Sequence, residues 1–275
     1  MTDAPLQPSP FKLLGIAEVR ATLEVLTGLH IGAGKDTIEI GGIDGAVIKD
    51  AATREPYVPG SSLKGKLRSI AEWAFEGKLR QDGLPWGAKT SGQPPLQPDD
   101  PVIRLFGAAA ESNAAWKGGP TRVIVRDAFL QDAWRQEQLE RGTPLTELKS
   151  EVVMNRLTGK AAGAGPRKIE RVPRGAKFDV TILCRLYDTE DGGHRDLECL
   201  NWLLALLELL ERDALGGSGS RGYGSVALSS VTVTTSGKVQ LAGTGSIETL
   251  PNFDPETPPS LLSIVVPPPA TTNAA

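Results

Sequence analysis

Residues 196–226 read DLECLNWLLALLELLERDALGGSGSRGYGSV. Leu197, Leu200, Trp202, Leu203, Leu206, Leu207 and Leu210 leave almost no polar face, which predicts a buried helix over 196–213. Five glycines then fall within the nine residues 216–224, and a Val/Thr-rich strand is expected to about 235. The run Gly217-Ser218-Gly219-Ser220-Arg221-Gly222 fits G-x-G-x-x-G. A dinucleotide fingerprint follows a strand and opens a helix. This run follows a helix and opens a strand, so the dinucleotide fingerprint is rejected. Two readings of the glycines stay open. They are an anion nest of unshielded backbone N–H groups beside Arg221, or a connection whose residues need positive φ.

Working outward, residues 16–29 (IAEVRATLEVLTGL) alternate, with Ala17, Val19, Ala21, Leu23 and Val25 on one face of a half-buried strand. A Gly-rich loop with Asp36 and Asp44 follows, then a short strand at 46–50. Ser61 or Ser62 is placed to cap a helix whose apolar face is Leu63, Leu67, Ile70, Ala71, Ala74 and Phe75. A second strand is expected over Thr121–Leu130 and a third over 177–187. The order β, α, β, basic excursion, β, α, β predicts an α+β fold with a ferredoxin-like βαββαβ core. Sheets of this kind with basic loops are common RNA platforms.

Composition narrows the function classes. The 275 residues carry a net charge of -3, which excludes a uniformly basic binder but not a local basic patch. One such patch exists: residues 156–177 hold seven Lys or Arg and a single acid, Glu170. Its glycines and prolines break any continuous helix, so a protruding hairpin or loop is expected. No apolar run exceeds six residues, Trp202 to Leu207, so no membrane helix is predicted. The N-terminus lacks signal-peptide character, and a cytoplasmic protein is expected. Two cysteines and two histidines are too few for a disulfide framework or a His-rich metal centre. Residues 1–14 read as a disordered arm. Residues 237–275, with no cation after Lys238 and seven prolines after 250, read as a disordered tail.

Gly60-Ser61-Ser62-Leu63-Lys64-Gly65-Lys66 imitates a Walker A loop. The next residue should carry the Mg²⁺-binding hydroxyl; here it is Leu67, on the apolar face, and an NTPase is excluded. Lys64, Lys66 and Arg68 oppose the helix dipole, so either an anion meets that helix end or they form a solvated basic face.

Taken in order, LTGLHIGAG (26–34), IGGIDGAVIKD (40–50), PYVPGSSLKGKLRS (56–69), LFG (105–107), VRDAFL (125–130), PRKIERVPRGAKF (166–178) and LGGSGSRGYGSV (215–226) resemble the RAMP superfamily. They are most similar to the backbone subunits of type III-A, or Csm, CRISPR effector complexes. The likeness spans about 15–236. It implies an RRM-like palm with a thumb inserted at about 146–177 and copies stacked as a filament on a CRISPR guide RNA beside other subunits. It also implies cleavage of matched target RNA at regular intervals, using Mg²⁺ or a similar ion. The family's catalytic aspartate falls on Asp44, as general base or metal ligand; Asp36 is the rival in the same loop. His30 is implied to lie near the guide. Lys64, Lys66, Arg68, Arg167, Arg171 and Arg221 are the expected phosphate contacts, and Ser61, Ser62 and Gly219 complete the expected RNA-binding set. A non-catalytic scaffold, a metal-independent guide-processing enzyme and a subunit of the sister Cmr complex are the alternatives. The chain departs from the family pattern at Asn155, where an acid is usual, at the AAGAG of 161–165, and beyond 239.

Overall fold

The computed structural model describes residues 11–33, 44–88, 96–108, 116–162 and 166–265. Its centre is strand β1, Lys12–Val25, whose alternate residues Ala17, Val19, Ala21, Leu23 and Val25 are buried. β1 therefore starts inside the segment expected to be an N-terminal arm. On one side it pairs antiparallel with β5, Lys177–Asp188, in the register Val19↔Ile182 and Leu23↔Phe178. On the other it pairs with β6, Val226–Gly237, with Val19↔Val233. β2, Val123–Val125, closes the β5 edge, and β8, Gly245–Ile247, closes the β6 edge.

Two helices cover the apolar face: α1, Gly60–Ala74, and α4, His194–Arg212. Without the later insertions the chain runs β1, α1, β2, β5, α4, β6, and the sheet order is β2-β5-β1-β6. That places the fourth, first, third and second core strands side by side, the arrangement of the split βαβ unit. The expected strand over 121–130 is regular only at Val123–Val125; Ala128 and Leu130 make single bridges to Val58 and Phe178. Residues 46–50 likewise form bridges and no ladder.

The start of α1 differs from the expected Ser cap. Pro59 is the N-cap, and neither serine caps the helix. The Gly60 N–H donates instead to Asp127 Oδ1 at 2.7 Å. A Cβ on Gly60 would lie 2.3 Å from the Val125 carbonyl oxygen, so glycine lets the helix start rest on the β2 backbone. A protein carboxylate thus stands at the helix end where an external anion was one reading of the cations.

Two short helices, α2, Pro101–Phe106, and α3, Asp132–Glu140, flank β2. Buried Asp196 accepts from both Arg104 and Arg122, tying α2 and the β2 edge to the first turn of α4.

The basic excursion is a hairpin. β3, Glu147–Glu151, pairs with β4, Arg167–Arg171, in the register Glu147↔Arg171 and Glu151↔Arg167. At its far end Asn155 Oδ1 accepts the N–H groups of Leu157 and Thr158 at 2.9 and 3.0 Å. An amide carbonyl makes these turn bonds as an aspartate would, so the Asn155 departure preserves the turn. Leu157 is 96% exposed there.

The reading of 237–275 as a disordered tail is corrected as far as Val265. β7, Leu241–Ala242, pairs with β9, Ser263–Ile264, and Leu241, Ile247 and Leu262 are buried. Asn201 of α4 exchanges two hydrogen bonds with the Leu262 backbone. Phe253 packs edge-on against Phe75, which packs edge-on against Trp202. Few cations and many prolines describe an extended strap as well as a disordered one; the apolar residues spaced among them decide the matter.

The open sheet face is mainly polar. Between 16–24, 179–185 and 227–234 it presents Glu18, Arg20, Thr22, Glu24, Asp179, Thr181, Arg185 and Thr234 beside Ile16 and Leu183, with no aromatic side chain in those stretches. RRM-type sheets bind RNA by stacking bases on aromatics. Those stretches lack that platform, and the stacked pair of Tyr57 and the exposed Phe129 lies at the β5 edge beside Asp179, which shifts attention to the loops.

Candidate nucleic-acid interface

Three loops meet at the root of the hairpin. Leu29 and Val172 exchange backbone hydrogen bonds of 2.9 and 2.8 Å, joining the end of the β1 loop to the residue after β4. Residues 44–48 lie between the two: Ile48 N–H donates to Ile31 O at 2.8 Å, and Glu170 N–H to Gly45 O at 2.8 Å. The Gly-rich loop closes the group, with Gly217 N–H donating to His30 O at 2.8 Å and Gly224 N–H to Gly28 O at 3.1 Å.

Glu170, the lone acid of the basic stretch, is the hub. It is 3% exposed. Its carboxylate accepts from Lys49 Nζ at 2.7 Å, Thr146 Oγ1 at 2.7 Å and Val47 N–H at 3.1 Å. Burial works to raise its pKa, but these three donors together hold it below the usual carboxylate range.

Asp44 is fastened to β4 by its backbone and its side chain. Its N–H donates to Lys168 O at 3.0 Å, and its Oδ2 accepts the Lys168 N–H at 2.7 Å. The residue is exposed, and Oδ1 accepts no hydrogen bond from the described residues. Asp36, the rival, lies outside the described residues.

His30 sits beside it. Nδ1 is 2.7 Å from the Glu170 carbonyl oxygen. Glycines surround the ring: a Cβ on Gly32 would lie 3.5 Å from Nε2, one on Gly45 3.5 Å from Cε1, and one on Gly217 3.6 Å from Cδ2.

The Gly-rich loop needs glycine at two points. Gly216 has φ 79° and a Cβ there would lie 2.4 Å from His30 O; Gly224 has φ 73° and its Cβ would meet Leu215 O at 2.0 Å. Positive φ and close approach are thus both real, and they fold the loop onto His30. Between these points Gly219–Arg221 forms one 3-10 turn. Tyr223, 1% exposed, pins the loop to the hairpin. Its hydroxyl donates to Glu151 Oε1 at 2.7 Å, and Lys149 Nζ and the Arg171 guanidinium lie 4.4 and 5.2 Å from its ring centre. The Tyr223 hydrogen bond is the main cause of a lowered Glu151 pKa, with Lys149, Arg221 and Arg167 adding to it.

The expected RNA-binding residues divide into two groups. His30, Asp44, Arg167, Arg171, Gly219 and Arg221 belong to the hairpin and the loops at its root. Arg167, Lys168 and Arg221 are exposed and make no ion pair with any described residue, while Arg171 pairs with Glu147 at 2.6 Å. Ser61, Ser62, Lys64, Lys66 and Arg68 lie instead on α1. Lys64 Nζ points to Val123 O at 3.4 Å, and burial, with Arg68 and Arg185 nearby, lowers its pKa. Lys66 pairs with Asp213 at 2.6 Å. Arg68 pairs with Glu72 at 2.8 Å and donates to the carbonyls of Gly107 and Trp86. Sequence reasoning missed the roles of Glu170, Lys49, Thr146 and Tyr223. Glu170 had a signal, since a single acid among seven cations is either solvated or an internal counter-charge.

Among the described residues no group of three or more His, Cys, Asp or Glu side chains is placed to hold a metal ion. A resident, protein-caged metal therefore has no donor set there. An exposed carboxylate such as Asp44 does suit Mg²⁺, which keeps most of its water and takes one or two carboxylates with substrate phosphates.

The family model of the RAMP superfamily matches residues 22–227. A protein of Methanothermobacter thermautotrophicus named "CRISPR system Cms endoribonuclease Csm3" is 41% identical over 220 residues, covering 75% of this chain and 81% of the relative. Proteins with the same name from Streptococcus thermophilus and Mycobacterium tuberculosis are 38% and 36% identical, each over 78% of this chain and 88% and 86% of their own lengths. Residues 22–227 take in the end of β1, both covering helices, the hairpin and the Gly-rich loop, so this chain belongs to the RAMP superfamily and, within it, to the Csm3 family.

Proposed function

We propose that the chain is the guide-RNA-binding backbone subunit of a type III-A CRISPR effector complex and cleaves target RNA matched to the guide. The observation that carries this reading is Asp44: an exposed carboxylate, held rigidly to β4 at the root of a basic hairpin, in a family whose relatives are named endoribonucleases.

RNA carries its own nucleophile. Cleavage needs the 2′-oxygen in line with the scissile phosphorus, and duplex geometry forbids that alignment. The hairpin supplies a wedge: Leu157 stands out at its tip among Arg156 and Lys160. An apolar side chain of this kind separates stacked bases, and the flanking cations hold phosphates. The freed nucleotide turns its 2′-OH onto its own 3′-phosphate. The 2′-O–P bond forms, the P–O5′ bond breaks, water protonates the departing 5′-oxygen, and the ends are a 2′,3′-cyclic phosphate and a 5′-OH. Asp44 Oδ1 stands open to take the 2′-OH proton or to hold a hydrated cation. Mg²⁺, when bound, would offset charge on the phosphoryl oxygens. Rigid fixing of Asp44 through Lys168 means that its position needs no reorganisation during reaction. Copies of the chain stacked along one guide, each with one wedge, give cuts at a regular interval. Backbone contacts leave the sequence to be read by pairing.

The test is to assemble the complex with guide RNA and map cuts on a matched RNA. Regular spacing, loss of cutting with a chelator, restoration by Mg²⁺ and cyclic phosphate ends are expected. Unspaced cuts, cutting in chelator or 3′-OH ends would each contradict the mechanism.

A further inference from the structure

We propose that His30 Nε2 accepts a hydrogen bond from a ribose 2′-OH and so makes this interface select RNA over DNA. The inference rests on the reading of the chain as an RNA-binding subunit and adds what the site measures in its ligand.

A backbone carbonyl sets the tautomer of the ring. Nδ1 lies 2.7 Å from the Glu170 carbonyl oxygen. A carbonyl oxygen only accepts, so Nδ1 carries a proton and, in the neutral ring, Nε2 carries the lone pair. That carbonyl is itself fixed. Glu170 sits in the β4 ladder, its N–H donates to Gly45 O at 2.8 Å, and its carboxylate is held by Lys49, Thr146 and Val47. The Nδ1 hydrogen bond thus orients the ring and favours the Nδ1–H tautomer.

No described residue donates to Nε2. Two glycines border it: Cβ atoms built on Gly32 and Gly45 would lie 3.5 and 3.8 Å away. Side chains at those positions would fill the space a sugar needs. Gly45, which borders this hollow, follows directly on Asp44 in the chain.

The chemistry of the ligand leaves one partner for this atom. Along a nucleic-acid backbone, phosphate oxygens and the ring oxygen are acceptors. The 2′-OH is the only donor, and it is what separates RNA from DNA at a given site. An acceptor atom in a groove that ignores base sequence therefore meets the 2′-OH, and DNA lacks it.

The experiment uses the full chain and two single-stranded oligonucleotides of one sequence, all-ribose and all-2′-deoxy. Dissociation constants are measured for wild type and His30→Ala. A single hydrogen bond corresponds to roughly a 2- to 10-fold effect on affinity. RNA affinity should fall by that factor in His30→Ala, DNA affinity should not change, and the wild-type preference for RNA should shrink accordingly. Equal weakening on both strands would assign His30 to phosphate or to the fold and overturn the proposal. So would an unchanged preference in the variant. If His30→Ala fails to fold, wild type is assayed against RNAs carrying one 2′-deoxy position at a time. At least one position should cost the same factor, and a flat scan would overturn the proposal. Wild type that binds neither strand would instead sink the RNA-binding reading itself.

Discussion

The protein has two basic regions, and in sequence they look alike. The first turns of α1 carry Lys64, Lys66 and Arg68; the hairpin and Gly-rich loop carry Arg167, Lys168 and Arg221. The structure treats them differently. Every α1 cation meets an internal acceptor: Val123 O, Asp213, or Glu72 with two carbonyls. Arg167, Lys168 and Arg221 are exposed and lack an ion pair with any described residue, whereas Lys149 and Arg171 of the hairpin pair with Glu151 and Glu147. Charge alone marks both clusters, but only the positions of the acceptors show which cations are still open to a phosphate. The α1 cations join the helix layer to its neighbours, and the hairpin cations stand beside Asp44 and His30.

Arg68→Ala should produce the largest effect on this comparison. It removes three partners from a half-buried site and leaves Glu72 without its guanidinium. A loss of about 2–4 kcal/mol in urea unfolding is expected, with RNA affinity of the folded protein little changed. A large affinity loss with intact stability would move Arg68 into the binding group. The double variant Arg167→Ala/Arg221→Ala should do the opposite. Stability should stay within about 0.5 kcal/mol, while RNA affinity falls and its logarithmic salt dependence flattens by roughly 0.7 for each phosphate no longer neutralised. An unchanged slope would remove these residues from the interface.

Glu170 sharpens the comparison from the acidic side, because it is the counter-charge buried under the free cations. Its folded pKa lies below the usual range. The stability it contributes is thus present above the unfolded carboxylate value, about 4.3, and is lost as pH falls through the lower folded value. Unfolding followed from about pH 7 to about pH 3 should show that loss, and Glu170→Gln should reduce it. Lys66→Ala should have the smallest effect. Its pair with Asp213 is half exposed, and a change below about 1 kcal/mol is expected.

Much of the fold is legible in the sequence because burial leaves periodic marks. The alternation of β1 and the all-round apolar α4 each have one physical reading, while the glycines at 216 and 224 keep two until the structure shows their positive φ. The strap after β6 escapes such a reading because its composition points one way and its pattern another. Leu241, Ile247, Phe253 and Leu262 are too widely spaced to form a period, yet they bury against α4 and Phe75. At the site, Asp44 is visible only through family resemblance; from spacing it is a turn residue before glycine. The hub of Glu170 is invisible for another reason. Its partners Lys49, Thr146 and Val47 come from two other segments, and no local pattern encodes bonds that span 121 and 123 residues of chain, as those from Lys49 and Val47 do.

Asp44→Ala in the assembled guide complex tests the central claim most directly. The carboxylate acts on the reacting nucleotide and contributes little to ground-state binding. Matched RNA should still bind, with affinity equal or slightly higher for want of a negative charge, and the regularly spaced cuts should vanish. Cutting at the wild-type rate by Asp44→Ala, with the same spacing and the same ends, would contradict the assignment of this hairpin root as the cleavage site.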